Sequence, residues 1–261
     1  MSYIRDRVII LRTSPFREHD RKVVMFGAQH GLLEAVARGA SARQAKQGGH
    51  ILPLTKVEIL IAKGASFDKL AVARTVSAHA GLRRRLGALA FAGAFADLFE
   101  RLQRPGIVDG ELYELLLQVL SVAESLPEEP SAERARLLYS AAALKLLDRI
   151  GFAPPLSACA SCREPFQAAL GECWLLPTDG AFLCHDCYRT VRRAHQDAQS
   201  VPVRTLTLLR FLRREPLGRV LLLTGSPADF QATTHAVSLL LRQAPLKKEP
   251  HGAETISAML G

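Results

Sequence analysis

Leu54 to Ala62 reads LTKVEILIA, and its alternation decides the first third of the fold. Thr55, Val57, Ile59 and Ile61 alternate with Lys56, Glu58 and Leu60, the period of two that one buried face of a β-strand demands. FDKLAVARTV, Phe67 to Val76, repeats the pattern, with Leu70, Val72 and Val76 set against Lys69, Ala71 and Ala73. Upstream, RVIILRT and KVVMFGA are rich in β-branched residues, and His30-Gly31 is placed as a turn between KVVMFGA and LLEAVARGA. SARQAKQGGH, Ser41 to His50, is small, polar and basic, and reads as a flexible loop. Five short strands within about 75 residues suit a small Greek-key barrel of the OB type. An SH3-like barrel or another meander is compatible with the same pattern.

Beyond Ala80 the spacing changes to three and four. Leu82, Leu86, Leu89, Ala90, Gly93, Ala94, Asp97 and Leu98 form the expected inner stripe of a helix. A second helix fits Asp109 to Ser125 with Asp109 as its cap, and a third runs from Ser131 to about Ile150. Gly151 and Pro154-Pro155 end it. Helical spacing returns in YRTVRRAHQDA, LTLLRFLRR and FQATTHAVSLLLRQ, and the chain reads as loose from Pro245. The expected class is α+β: an OB-type β-barrel at 1–80, then an all-helical domain at 81–157 and 189–250. A zinc-binding insert at 158–188 interrupts the helices, and a tail at 251–261 closes the chain.

The charge is uneven. Of 34 Lys/Arg and 25 Asp/Glu, residues 1–85 hold 16 and 6, and the remainder 18 and 19. The excess of +9 therefore belongs to the strand-rich third, which points to a polyanionic partner. The candidate contacts are Arg12, Arg17, Arg21, Lys22, Arg38, Arg43, Lys46, Lys56 and Lys63. Aromatic residues are sparse there; Phe26 is placed in the core, and Phe16, among charged loop residues, is a candidate for stacking on a base. LGALAFAGAFA is too short to span a bilayer, no signal peptide is visible, and a cytoplasmic location is expected.

CASC, Cys159 to Cys162, and CHDC, Cys184 to Cys187, stand 21 residues apart. Each C-x2-C turn offers two thiolates to one metal, and two turns complete a tetrahedral shell. Four thiolates leave no open position for catalysis. One structural zinc per chain is expected on Cys159, Cys162, Cys184 and Cys187, with Cys173 packed as a free thiol. A redox pair calls for a βαβ setting, whereas helices are expected here. Phosphate-loop, nucleophile-elbow and H-E-x-x-H motifs are lacking, so no catalytic residue is assigned.

RVIILRTSPFREHDRKVVMFGAQHGLLEAVARGA, Arg7 to Ala40, resembles the opening strands of the RecO recombination mediator family. The resemblance continues through HILPLTKVEILI, LLYSAAALKLLDRIGFAPPLSACASC and DGAFLCHDC. It implies a bacterial, nucleoid-associated protein that binds single- and double-stranded DNA and anneals complementary strands without ATP. It further implies pairing with RecR, loading of RecA onto strands coated by SSB, and binding of the acidic SSB C-terminal tail. Two rival readings are a zinc-containing transcription regulator, which needs a recognition helix, and a nucleic-acid-modifying enzyme.

Overall fold

The computed structural model describes residues 2–42, 47–127, 131–167 and 171–245. Those residues form two compact units, 2–127 and 131–245.

In the first unit β1 (Tyr3–Pro15), β2 (Arg21–Gly27), β3 (Gly31–Ala37), β4 (Lys56–Ala62) and β5 (Lys69–Ser77) close into a barrel. The order around it is β1-β2-β3-β5-β4, that of a Greek-key barrel of the OB type. Every neighbouring pair is antiparallel except β3 and β5, which meet in parallel through Val36 and Lys69. β1 serves two partners: Tyr3–Ile9 pair with β4, and Val8–Pro15 with β2. A bulge between Ile10 and Arg12 bends it from one to the other.

Val57, Ile59 and Ile61 point into the barrel, as their alternation predicts, and meet Val8, Ile10, Val23, Met25, Leu70 and Ala73. β5 departs from expectation. Val72 and Val76 are about half exposed and Ala73 is buried. The register with β4 slips between Leu60 and Ile61 and again between Lys56 and Val57, so Ala71 and Val76 are extra residues. Each bulge reverses the phase of the side chains that follow, and periodicity alone cannot locate it. Within the segment expected to be a flexible loop, Gly48–Ile51 forms a 3-10 turn, while residues 43–46 lie outside the described residues.

Helices α1 (Ala80–Arg83), α2 (Leu86–Leu102) and α3 (Gly110–Ser125) complete the unit. The inner stripe of α2 is Phe91, Phe95 and Phe99 at i, i+4 spacing, whereas Leu86 is 70% exposed. The rings win the core face because each removes more apolar surface from water than a leucine does. Phe99 meets Phe26 of β2 edge-on, centroids 4.9 Å apart. Asp109 caps α3, its carboxylate accepting from the Glu111 and Leu112 amides.

The second unit is built on α4 (Ala132–Arg149), capped by Ser131. Leu137, Leu138, Ala141 to Leu144, Leu146 and Leu147 are all fully buried, as in a helix covered from several sides. Gly151 follows at φ +78, a left-handed position that ends the helix at no steric cost. Next come β6 (Glu172–Leu176), β7 (Ala181–Leu183), α5 (His185–Val191), β8 (Gln199–Pro202), α6 (Val203–Arg214), α7 (Leu217–Val220) and α8 (Pro227–Arg242). The three strands form an antiparallel sheet in the order β7-β6-β8. Periodicity missed this sheet, whose strands are three to five residues long. It also carried α5 to Ala198, whereas the helix ends at Val191 and Gln199–Pro202 pair with β6. The expected tail lies outside the described residues.

Candidate metal centre and nucleic-acid interface

The second unit's sheet presents the cysteines. Cys159 begins a tight turn in which its amide donates to the Glu164 carbonyl at 2.9 Å. Its own carbonyl accepts from the Arg163 amide, with Arg163 at φ +64. β7 delivers Cys184 to the start of α5, whose first turn carries Cys187. The Ala160 amide donates to Phe182 of β7 and locks the two turns together. The four sulfurs of Cys159, Cys162, Cys184 and Cys187 all lie within 4.8 Å of one another, Cys162 and Cys184 being 3.9 Å apart.

Sulfurs about 2.3 Å from a tetrahedral zinc stand about 3.8 Å from each other. The cluster is therefore the right size for one ion, and its all-sulfur donor set suits zinc. It is far too open for a disulfide, and all five cysteines are free. Burial by itself raises the Cys159 thiol. The Cys184, Cys162 and Ser161 amides aimed at its sulfur outweigh that and bring it down to about 6. Cys173 sits apart, fully buried, its thiol directed at the Val201 carbonyl. Burial, then the neighbouring Glu172, push it up to about 12. His185 is exposed. Sequence reasoning did not find the stack of Trp174 on Tyr188, which ties β6 to α5 beside Cys187.

At one end of the barrel three loops converge. The β1–β2 turn carries Phe16 to Asp20, the β4–β5 loop carries Lys63 to Asp68, and the segment after β3 carries Arg38 to Ala42. The Ser41 amide donates to the His19 carbonyl, the Gly39 amide to the Asp20 carboxylate, and the Val36 amide to the Asp68 carbonyl. Phe16 and Phe67 meet edge-to-face at 5.7 Å.

Of the seven expected cations among the described residues, four belong to this end. Arg17 lies over both phenyl rings, Arg21 donates to the Ser41 hydroxyl, Arg38 is exposed, and Lys63 pairs with Asp68 at 2.7 Å. Lys22 pairs with Glu34 on the neighbouring strand, and Lys56 occupies β4 beside Ile9 and Ser77. Arg12 is engaged differently, in a two-pronged ion pair with Glu100 of α2. Arg43 and Lys46 lie outside the described residues.

A second basic surface escaped the sequence reading. Arg5, Arg7 and Arg74 rim a groove on the outer face of β1, β4 and β5, floored by Leu60 and Val72. Arg7 pairs there with Glu58 at 3.1 Å. The alternation of YIRDRVI, which sends Arg5 and Arg7 outward, was the available signal. Among the described residues no helix is long and apolar enough to cross a membrane.

Comparison with known proteins agrees with this architecture. The model for the recombination protein O N-terminal region matches residues 1–79, and that for its C-terminal region matches residues 83–248. DNA repair protein RecO of Rubrobacter xylanophilus is 29% identical over 217 residues, which is 83% of either chain. RecO of Anaeromyxobacter sp. strain K is 31% identical over 212 residues, 80% of this chain and 78% of its own. RecO of Pelotomaculum thermopropionicum is 26% identical over 245 residues, 93% and 88% of the two chains. The likeness runs in order from barrel to last helix, and the chain belongs to the RecO family of DNA repair and recombination proteins.

Proposed function

We propose that this chain is a recombination mediator that binds single- and double-stranded DNA and anneals complementary strands without ATP. The observation that carries the reading is the convergence of Arg17, Arg21 and Arg38 with Phe16 and Phe67 on the barrel's loop end. OB barrels commonly hold oligonucleotides through the β1–β2 and β4–β5 loops, the two that meet here. Annealing is a charge problem: two strands repel until a basic surface neutralises their phosphates and releases counterions. Binding dominated by phosphates has little sequence preference, which suits an annealer.

In this reading residues 1–80 act as the DNA-binding domain, and 81–157 with 189–250 as its helical companion. The insert at 158–188 is clamped by one zinc on Cys159, Cys162, Cys184 and Cys187. The metal supplies folding energy and no chemistry, because four thiolates fill its shell. RecR and the acidic C-terminal tail of SSB are the proposed partners, and the setting is the placement of RecA on SSB-coated single strands.

The test is annealing of complementary labelled strands, followed by fluorescence with and without SSB and with no nucleotide present. The expected result is acceleration that fades as salt is raised. Annealing no faster than the uncatalysed rate at low salt overturns the reading.

A further inference from the structure

Arg17 occupies a place that a nucleic-acid base could take. Its guanidinium carbon lies 5.3 Å from the Phe16 ring centre and 5.4 Å from that of Phe67. The two rings come from different loops, the β1–β2 turn and the β4–β5 loop, and stand at 67° to each other. Phe16 is 41% exposed, an uncommon position for a phenyl ring with a barrel core so near.

Both loops are held in shape by their own hydrogen bonds. The Phe16 amide donates to the Asp20 carbonyl, and the Asp20 amide to the Arg17 carbonyl. Asp68 accepts from the Lys63 ammonium and the Gly64 amide. A side chain at Gly64 would collide with the Phe67 carbonyl, so the loop turns tightly beneath that ring. The rings are thus preset, while the arginine that covers them hangs on a long flexible stem.

We propose that the Phe16–Phe67 pair is a base-stacking site for unpaired DNA, capped in the free protein by Arg17. On binding, a base displaces the guanidinium, which turns to a phosphate. The inference rests on the DNA-binding reading above and adds a means of telling single strands from duplex. Stacking of a base on an aromatic ring is worth about 5- to 150-fold in affinity. An exposed cation–π contact holds about 2- to 5-fold. The base therefore wins the exchange, and the displaced charge keeps its value by meeting the backbone. A duplex keeps its base faces stacked inside and cannot enter; it meets only the surrounding cations.

The test measures binding of an oligo-dT strand and of a duplex of equal length to the full chain, across a salt series. Phe16→Leu and Phe67→Leu keep apolar bulk and remove the π face, and thermal melting checks their fold. The double variant is expected to bind the single strand about tenfold more weakly at every salt, with an unchanged salt slope and duplex affinity within about twofold. Equal weakening for both DNAs, or none, overturns the stacking site.

Arg17→Ala separates a cap from an ordinary phosphate contact. Its salt slope on the single strand should fall by about 0.7. Extrapolated to 1 M salt, where the phosphate term vanishes, its affinity should match or exceed that of the unaltered protein by up to about fivefold, since nothing competes with the base. A lower affinity there shows that Arg17 itself holds the base and removes the cap. If the unaltered protein binds neither DNA, the underlying functional reading fails instead.

Discussion

The indole of Trp174 lies flat on the ring of Tyr188, centroids 3.8 Å apart and planes 12° from parallel. Trp174 is the chain's single tryptophan, and Tyr188 follows Cys187 directly. The stack therefore couples the protein's one strong fluorophore to the cysteine cluster. Purified without added metal, the protein should contain about one zinc per chain by elemental analysis. Stripping it with a chelator should change tryptophan emission, because α5 loses the bond that holds Tyr188 in place. Cys184→Ser should lose zinc and melt earlier or aggregate. A well-folded protein with no metal and an unmoved spectrum would sink the clamp.

Cys173 makes a second prediction about thiols. Its pKa is raised from 9.0 to about 12, burial being the larger cause. The thiolate is the reactive form, so Cys173 should resist a thiol reagent at pH 8 for as long as the fold persists. Metal-loaded protein should show almost no fast thiol, the chelated protein those of the cluster, and the unfolded chain all five. A folded pKa above the unfolded one gives a contribution fully present below pH 9 and lost as pH rises through about 12. Rapid labelling of a fifth thiol in the native state would contradict this.

The Asp6 carboxylate, 1% exposed, pins the turn between β2 and β3. It accepts from the amides of Gln29 and His30, and His30 Nδ1 lies 3.0 Å from it. Beyond the turn, Gly31 sits at φ +64 with the Ile107 carbonyl where a Cβ would be. Asp6→Ala leaves these donors without an acceptor and should cost about 3 kcal/mol in urea unfolding. Asp6→Asn keeps one acceptor oxygen and should cost roughly half as much. Equal stability of all three proteins would deny the turn its pin.

What the sequence made legible follows from range. The alternation of LTKVEILIA is local, and Val57, Ile59 and Ile61 face inward as it requires. The C-x2-C turns are local too, and their thiols converge because each turn presets half of the cluster. The bulges at Ala71 and Val76 arise from pairing with a different strand, so no window along β5 reveals them. Arg12 and Glu100 are 88 residues apart, and only the packing of α2 on β1 brings them together. The β6–β8 sheet was missed because its strands are too short for a period to register.

The contact of Arg12 with Glu100 is two-pronged, unlike the single contacts of Lys22 with Glu34 and Lys63 with Asp68. The Glu100 side chain is only 17% exposed. Arg12→Ala should destabilise the fold by about 1–2 kcal/mol, since a charge-assisted pair loses one partner. DNA affinity should change by less than about twofold, because a committed cation has little to offer a phosphate. A variant of full stability but weak DNA binding would return Arg12 to the interface.

Two basic surfaces are candidates for the proposed DNA contact, and charge removal distinguishes them. Arg17, Arg21 and Arg38 stand at the loop end; Arg5, Arg7 and Arg74 rim the groove on the outer face of β1, β4 and β5. In the groove, Arg7 is already partly neutralised by Glu58. At the loop end Arg38 is exposed, and Arg17 lies over two phenyl rings. Replacing the loop-end three together by alanine should weaken single-strand binding at least tenfold at about 0.1 M salt. The slope of log affinity against log salt should fall by about 2, at roughly 0.7 for each lost single-strand phosphate contact. Replacing the groove three should change affinity less than about threefold. If the groove variant suffers more than the loop-end variant, the DNA path crosses the outer face of the barrel, and the converging loops serve another partner.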